Sequence, residues 1–156
     1  MTTQSKLETI LKRAIQKEID SQQLYRDLSQ RTKHAAAREA FQGLVREEKG
    51  HQELLERYLR GELRQGALNR AHAIDYRIAE KLDQPELSPD MKLADVFLLA
   101  ANREKMSHDF YIDLAEIHPP GEVRTLIEGL AAQELAHKQM VEFLYTEVGF
   151  PQTDGG

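Results

Sequence analysis

The chain contains no cysteine among its 156 residues. This absence excludes disulfides, thiol catalysis, zinc ribbons and iron–sulfur clusters within it. It also lacks an apolar run of the roughly 20 residues that cross a bilayer, and its net charge of −5 comes with no basic stripe to neutralise phosphates. We therefore expect a cytoplasmic protein that binds neither membranes nor nucleic acid.

Proline is sparse, and its five occurrences lie outside four long amphipathic segments. Proline is excluded from helix interiors because it lacks the N–H and clashes with the preceding turn. Apolar residues recur at three-four spacing over residues 5–31, 34–61, 90–117 and 121–148. The pattern predicts an all-α four-helix bundle in one domain, residues 1–148, followed by a flexible tail, residues 149–156.

The connection between the second and third segments is unusually long. A short loop suffices for antiparallel neighbours, whereas residues 62–88 can run back along the bundle. We therefore predict two helical hairpins joined by a long crossover, with the third helix parallel to the second. A short helix is expected within the crossover, over residues 71–82.

Two Glu-x-x-His motifs lie on the apolar stripes, 86 residues apart, and a single stripe glutamate precedes each motif by 30 residues. A spacing of three places both side chains of a motif on one helix face. One such motif alone is commonly a solvated pair, but its repetition at equal offset favours a shared site. The six residues are Glu18, Glu48, His51, Glu104, Glu134 and His137.

Charge balance points to metal ions. Ionised carboxylates in an apolar core are strongly destabilised unless they are paired or coordinated, and four at one level repel one another. The stripes contain no basic residue. Two divalent cations neutralise four carboxylates, and two neutral imidazoles add ligands without charge. Oxygen and imidazole ligands suit iron or manganese, with zinc as a further candidate.

Several further residues lie near these six along the stripes or directly beside them in sequence. Tyr25 and Tyr111 follow their glutamates by seven residues, so hydrogen bonding to a ligand carboxylate and simple core packing are both open. Ser21 and Ser107 are interpreted as small residues that make room beside the metals. Glu47 points about 100° away from Glu48 and is left out of the site.

The remaining histidines are predicted at the surface: His34, His72, His108 and His118. Two glycines at equal offset are predicted to permit close helix packing: Gly43 and Gly129.

Over essentially the whole chain, the pattern resembles the rubrerythrin-like branch of the ferritin-like superfamily. The resemblance implies that Glu48 and Glu134 bridge two Fe ions, replaceable by Mn or Zn, without haem. It further implies that Glu18 and Glu104 are terminal ligands, that the two histidines bind one ion each, and that the protein is a homodimer.

Two departures from rubrerythrin matter. That protein carries a rubredoxin domain with four cysteines, which this chain lacks, so electrons are expected from a separate donor such as a rubredoxin or flavoprotein. Ser107 stands where rubrerythrin has an additional ligand glutamate. Bacterioferritin resembles the chain less well, since Lys49 replaces its haem-ligating methionine.

Three functions fit these residues. The first is a di-iron oxidoreductase that reduces H2O2 or O2. The second is a ferroxidase with Fe(II) as its substrate, for iron storage or delivery. The third is a non-enzymatic bundle that holds a structural metal. The same six ligands serve the first two functions, so the ligand pattern does not separate them.

Overall fold

A computed structural model describes residues 3–62 and 92–149. Four α-helices form there: α1 (Thr3–Arg31), α2 (Ala35–Leu59), α3 (Leu93–Glu116) and α4 (Glu122–Leu144), with a π-helical turn at Tyr145–Gly149. These two ranges contain no strand, and the predicted all-α four-helix bundle is confirmed. The predicted helix at residues 71–82, most of the crossover and residues 150–156 lie outside the described residues. Within the described ranges, no helix is long and apolar enough to span a membrane.

Local signals set the ends of α2. His34 precedes the helix, and its Nδ1 accepts a hydrogen bond from the backbone N–H of Ala37 at 3.3 Å. At the other end, Gly61 adopts a φ of 77°, and the backbone N–H groups of Gly61 and Glu62 donate to the carbonyls of Tyr58 and Arg57. This glycine-dependent ending satisfies carbonyls that a helix otherwise leaves without partners.

The helices pack as two hairpins, α1 with α2 and α3 with α4, and the hairpins meet through α1 with α3 and α2 with α4. Tyr25 of α1 donates to Glu104 of α3, and Tyr111 of α3 donates to Glu18 of α1. This reciprocal pairing requires α1 and α3 to be antiparallel. Since short turns make each hairpin antiparallel as well, α2 and α3 run parallel, as the long crossover predicts.

Two apolar clusters fill the core, one on each side of a polar layer at mid-height. The first draws on all four helices and includes Leu11, Leu55, Leu114 and Ile127. The second, towards the other end of the bundle, includes Leu28, Phe41, Phe97 and Val141. The helices thus hold together above and below a layer that contains buried carboxylates.

His118 corrects one sequence prediction, because it is buried rather than at the surface, with 2% exposure. Its Nδ1–H donates to the carbonyl of Leu114 at 2.7 Å, and its Nε2 accepts from the hydroxyl of Tyr58. Burial lowers the pKa of His118, which favours the neutral ring. α3 ends at Glu116, before His118, so helical periodicity does not predict where the His118 side chain points.

The other predictions outside the site had mixed outcomes. His34 is exposed, as predicted, His108 is half-buried, and His72 lies outside the described residues. The predicted close packing at the two glycines is wrong. A Cβ at Gly129 meets nothing within 4 Å, and one at Gly43 meets only the Arg46 side chain at 3.7 Å.

Tyr58→Phe should destabilise the protein by about 1–3 kcal/mol, because it leaves the buried Nε2 of His118 without a donor. The free energy of unfolding from urea titration measures this. His118→Leu alone and the double variant complete a double-mutant cycle. The double variant should lose less than the sum of the two single losses. Additive losses would show that the hydrogen bond contributes nothing.

Candidate metal centre

The structure brings the six stripe residues together in the polar layer. α1 supplies Glu18, α2 supplies Glu48 and His51, α3 supplies Glu104, and α4 supplies Glu134 and His137. None of the six is more than 4% exposed. Each sits on the same stripe as the apolar residues of its helix, so helix packing itself turns the polar side chains inward.

The ligand atoms form two overlapping groups. In each group, one atom from every residue lies within 4.8 Å of the others. The His51 half contains Glu18, Glu48, His51 and Glu134, and the His137 half contains Glu48, Glu104, Glu134 and His137. Glu48 and Glu134 belong to both halves. Each of the two glutamates has an oxygen within 3.8 Å of Nδ1 of both histidines.

Eight buried polar atoms of this cluster have no hydrogen-bond partner among the described residues. They are both carboxylate oxygens of Glu48 and Glu134, one oxygen each of Glu18 and Glu104, and Nδ1 of both histidines. Nδ1 of His51 lies 2.7 Å from Oε1 of Glu134, but the contact does not have hydrogen-bond direction. Because buried polar atoms are normally paired, eight converging ones fit a site for cations.

The two tyrosines divide the oxygens of the outer glutamates. Oε1 of Glu104 accepts from the Tyr25 hydroxyl, and Oε1 of Glu18 accepts from the Tyr111 hydroxyl. The second oxygen of each glutamate lies 3.7 Å from Nδ1 of the nearby histidine. Burial first, then the neighbouring carboxylate charges, raises the pKa of both tyrosines well above its usual value. Each hydroxyl therefore stays a donor and leaves one oxygen of its glutamate for a metal.

The outer nitrogens of the histidines have partners that sequence reasoning missed. Nε2 of His51 lies 2.5 Å from Oε1 of Gln133, and Nε2 of His137 lies 2.5 Å from Oε2 of Glu47. An amide or carboxylate oxygen can only accept, so Nε2–H donates in both cases. The Nδ1 atoms then face the cluster, which is the orientation that metal-binding histidines need.

The direction of its Cβ excludes Glu47 from the stripe, but its side chain reaches across to His137 of α4. The internal repeat carried the missing signal, since Glu47 and Gln133 are separated by the same 86 residues as the ligand motifs. The offset therefore relates the outer partners as well as the ligands.

Without bound cations, protons neutralise much of the negative charge of the buried carboxylates. Burial, and then the neighbouring carboxylates, raises the pKa of Glu48 and Glu134 well above its usual range. Burial lowers the pKa of His51, but the carboxylates of Glu134 and Glu18, 2.7 and 3.7 Å from its Nδ1, outweigh burial and raise the value to about 11. A cation that uses these atoms must displace such protons, so metal uptake is coupled to proton release.

The Rubrerythrin family model matches residues 1–59, which span α1 and α2 with Glu18, Glu48 and His51. The first helical hairpin is therefore similar to rubrerythrin. No curated protein and no solved structure gives a significant match. α3 and α4 repeat the arrangement of the matched hairpin, and the buried carboxylate–histidine cluster is compatible with a di-iron site.

Glu48→Gln tests the cluster, because it removes one ionisable carboxylate while keeping the side-chain shape. Metal-free, the variant should be at least as stable as the unsubstituted protein. With Mn(II) at about 100 times its Kd, the unsubstituted protein should gain about 2.7 kcal/mol and the variant little. Thermal unfolding with and without Mn(II) measures both effects.

Glu53→Gln, on the exposed face of the same helix, is the matched control and should behave like the unsubstituted protein. An equal Mn(II) response in all three proteins would contradict metal binding at Glu48.

The metal-free protein should also lose stability as the pH rises above neutrality. The pKa of His51, raised to about 11, means that the folded state binds more protons than the unfolded state there, and the raised pKa values of Glu48 and Glu134 act in the same direction. The slope of the free energy of unfolding against pH should be shallower for Glu48→Gln.

Proposed function

We propose that this rubrerythrin-like protein is a non-haem di-iron oxidoreductase that reduces hydrogen peroxide or O2 with electrons from a separate donor protein. The observation that carries the proposal is the pair of four-residue ligand groups that share Glu48 and Glu134. Mixed carboxylate and imidazole ligation suits iron or manganese. Four buried carboxylates also call for the charge of two divalent ions rather than one.

The roles of the residues follow from the grouping. Glu18 and His51 would hold one ion, Glu104 and His137 the other, and the two shared glutamates would contact both. When bound, two Fe(II) ions would supply the two electrons that, together with two protons, convert one H2O2 to two waters. Tyr25 and Tyr111 keep the outer glutamates oriented, and the apolar clusters on both sides exclude bulk water from the layer.

The electrons for repeated turnover would have to come from outside these 156 residues. The chain has no cysteine and therefore no iron–sulfur cluster or thiol to serve as a reductant. A rubredoxin or a flavoprotein has suitable redox chemistry. We also propose that the protein works as a cytoplasmic homodimer, as the family resemblance implies.

A ferroxidase that oxidises Fe(II) for storage or delivery is the second candidate. Ser107, one turn after Glu104, is half-buried and offers no carboxylate. The described ligand set therefore has six members, as in bacterioferritin, instead of the larger set of rubrerythrin.

A structural metal site is the third candidate. Metal removal would then lower stability, and the protein would react with neither oxidant.

Anaerobic loading with two Fe(II) per chain, followed by stopped-flow mixing with H2O2 or O2, separates these functions. For the proposed peroxidase, H2O2 should oxidise the iron faster than an equal concentration of O2, as followed by Fe(III) absorption. Glu104→Gln should slow the reaction, and Glu53→Gln should not.

Other results would favour the other functions. Faster oxidation by O2, turnover of excess Fe(II) and a large hollow assembly in light scattering would favour the ferroxidase. No reaction with either oxidant, together with a lower Tm after chelation, would leave the structural role.

A further inference from the structure

The ligand arrangement around the two histidines is the same in both halves. From Nδ1 of His51, the distances are 2.7 Å to Glu134, 3.7 Å to Glu18 and 3.8 Å to Glu48. The corresponding distances from Nδ1 of His137 are 2.6, 3.7 and 3.8 Å, to the residues related by the repeat: Glu48, Glu104 and Glu134. The two rings stack with centroids 5.8 Å apart. The inner geometry therefore does not distinguish the halves.

The outer partners do distinguish them. Glu47 and Gln133 occupy equivalent positions, each directly before a shared glutamate, and each accepts from Nε2 at 2.5 Å. One partner offers a carboxylate and the other a neutral amide. A carboxylate acceptor draws the Nε2 proton more strongly and makes the imidazole a better electron donor at Nδ1. The Glu47 side chain is 59% exposed, so solvent weakens its charge but leaves the direct hydrogen bond.

We propose that Glu47 is a positioning residue that makes the two metal positions unequal. The ion in the His137 half binds more tightly, and the ion in the His51 half is held more weakly and fills second. Glu47 acts through the His137 ring and does not itself bind the metal. The inference rests on the two-metal site of the proposed function, but it concerns binding order and not the oxidant.

Exchanging the outer partners tests this inference, with Co(II) as the probe in anaerobic calorimetric titrations. The unsubstituted protein should bind two Co(II) ions in two unequal steps. Glu47→Gln, which replaces the carboxylate acceptor by an amide, should weaken the first step about 10-fold, since mutation of an outer partner typically costs 10–100-fold in metal affinity. Gln133→Glu should tighten the second step, and the double variant E47Q/Q133E should restore the gap. Glu53→Gln is the control and should leave both steps unchanged.

A crystal grown with one Co(II) per chain locates the tighter position. The anomalous signal should concentrate at the His137 half in the unsubstituted protein and at the His51 half in the double variant. This reversal separates a chemical effect of the carboxylate from a general loss of structure, which would weaken both positions in every variant. Equal occupancy in the unsubstituted protein, or no change of position after the exchange, would overturn the inference.

The Co(II) titrations can contradict this inference without contradicting the proposed function, and the reverse also holds. Two unequal Co(II) steps that respond to Glu47 support the inference even if loaded iron reacts with neither H2O2 nor O2. Failure to bind Co(II) at all would overturn both the inference and the two-metal site. Two equal steps, with normal reactivity towards peroxide, would overturn the inference alone.

Discussion

An ionised carboxylate in an apolar interior is destabilised by several kcal/mol unless its charge is compensated, and this bundle places four of them at one level. The shared pair, Glu48 and Glu134, is at most 1% exposed. The apolar clusters on both sides must hold the four helices together against this layer, which accounts for an uninterrupted core above and below it. Compensation by protons is partial and depends on pH, whereas divalent cations neutralise the charge and use the same atoms.

The hydrogen bonds that prepare the site also join the two hairpins. Tyr25 and Tyr111 each donate to a glutamate of the other hairpin. His51 and His137 donate across the same boundary, to Gln133 and Glu47. Helix register and ligand orientation therefore depend on the same contacts. A shift of α1 along α3, or of α2 along α4, would leave several buried groups without partners, so the polar layer contributes specificity where the apolar packing alone would tolerate sliding.

The fold and the six inner residues were predictable because they depend on period and repetition. Helices of 23 to 29 residues give a clear stripe, and the 86-residue offset relates the two motifs. Other features lay beyond that reasoning. Periodicity places a Cβ but not the end of a long side chain, so Glu47 was missed. It gives no direction beyond a helix end, so His118 was misplaced. A stripe position also does not say which neighbouring helix a tyrosine meets, which left both roles of Tyr25 and Tyr111 open.

Peroxidase and ferroxidase chemistry can use the same six ligands, so the difference between them must come from what reaches the layer. A peroxidase needs electrons from a donor protein and protons for the waters it forms, while a ferroxidase needs a path for iron. The histidine ligands are at most 4% exposed, but one hydrogen bond links His137 to the 59% exposed carboxylate of Glu47. The repeat places a neutral Gln133 on the other side, so the outer nitrogens of the two histidines have partners of different charge. The six inner residues thus make the two halves of the layer alike, and the outer partners Glu47 and Gln133 make the halves differ.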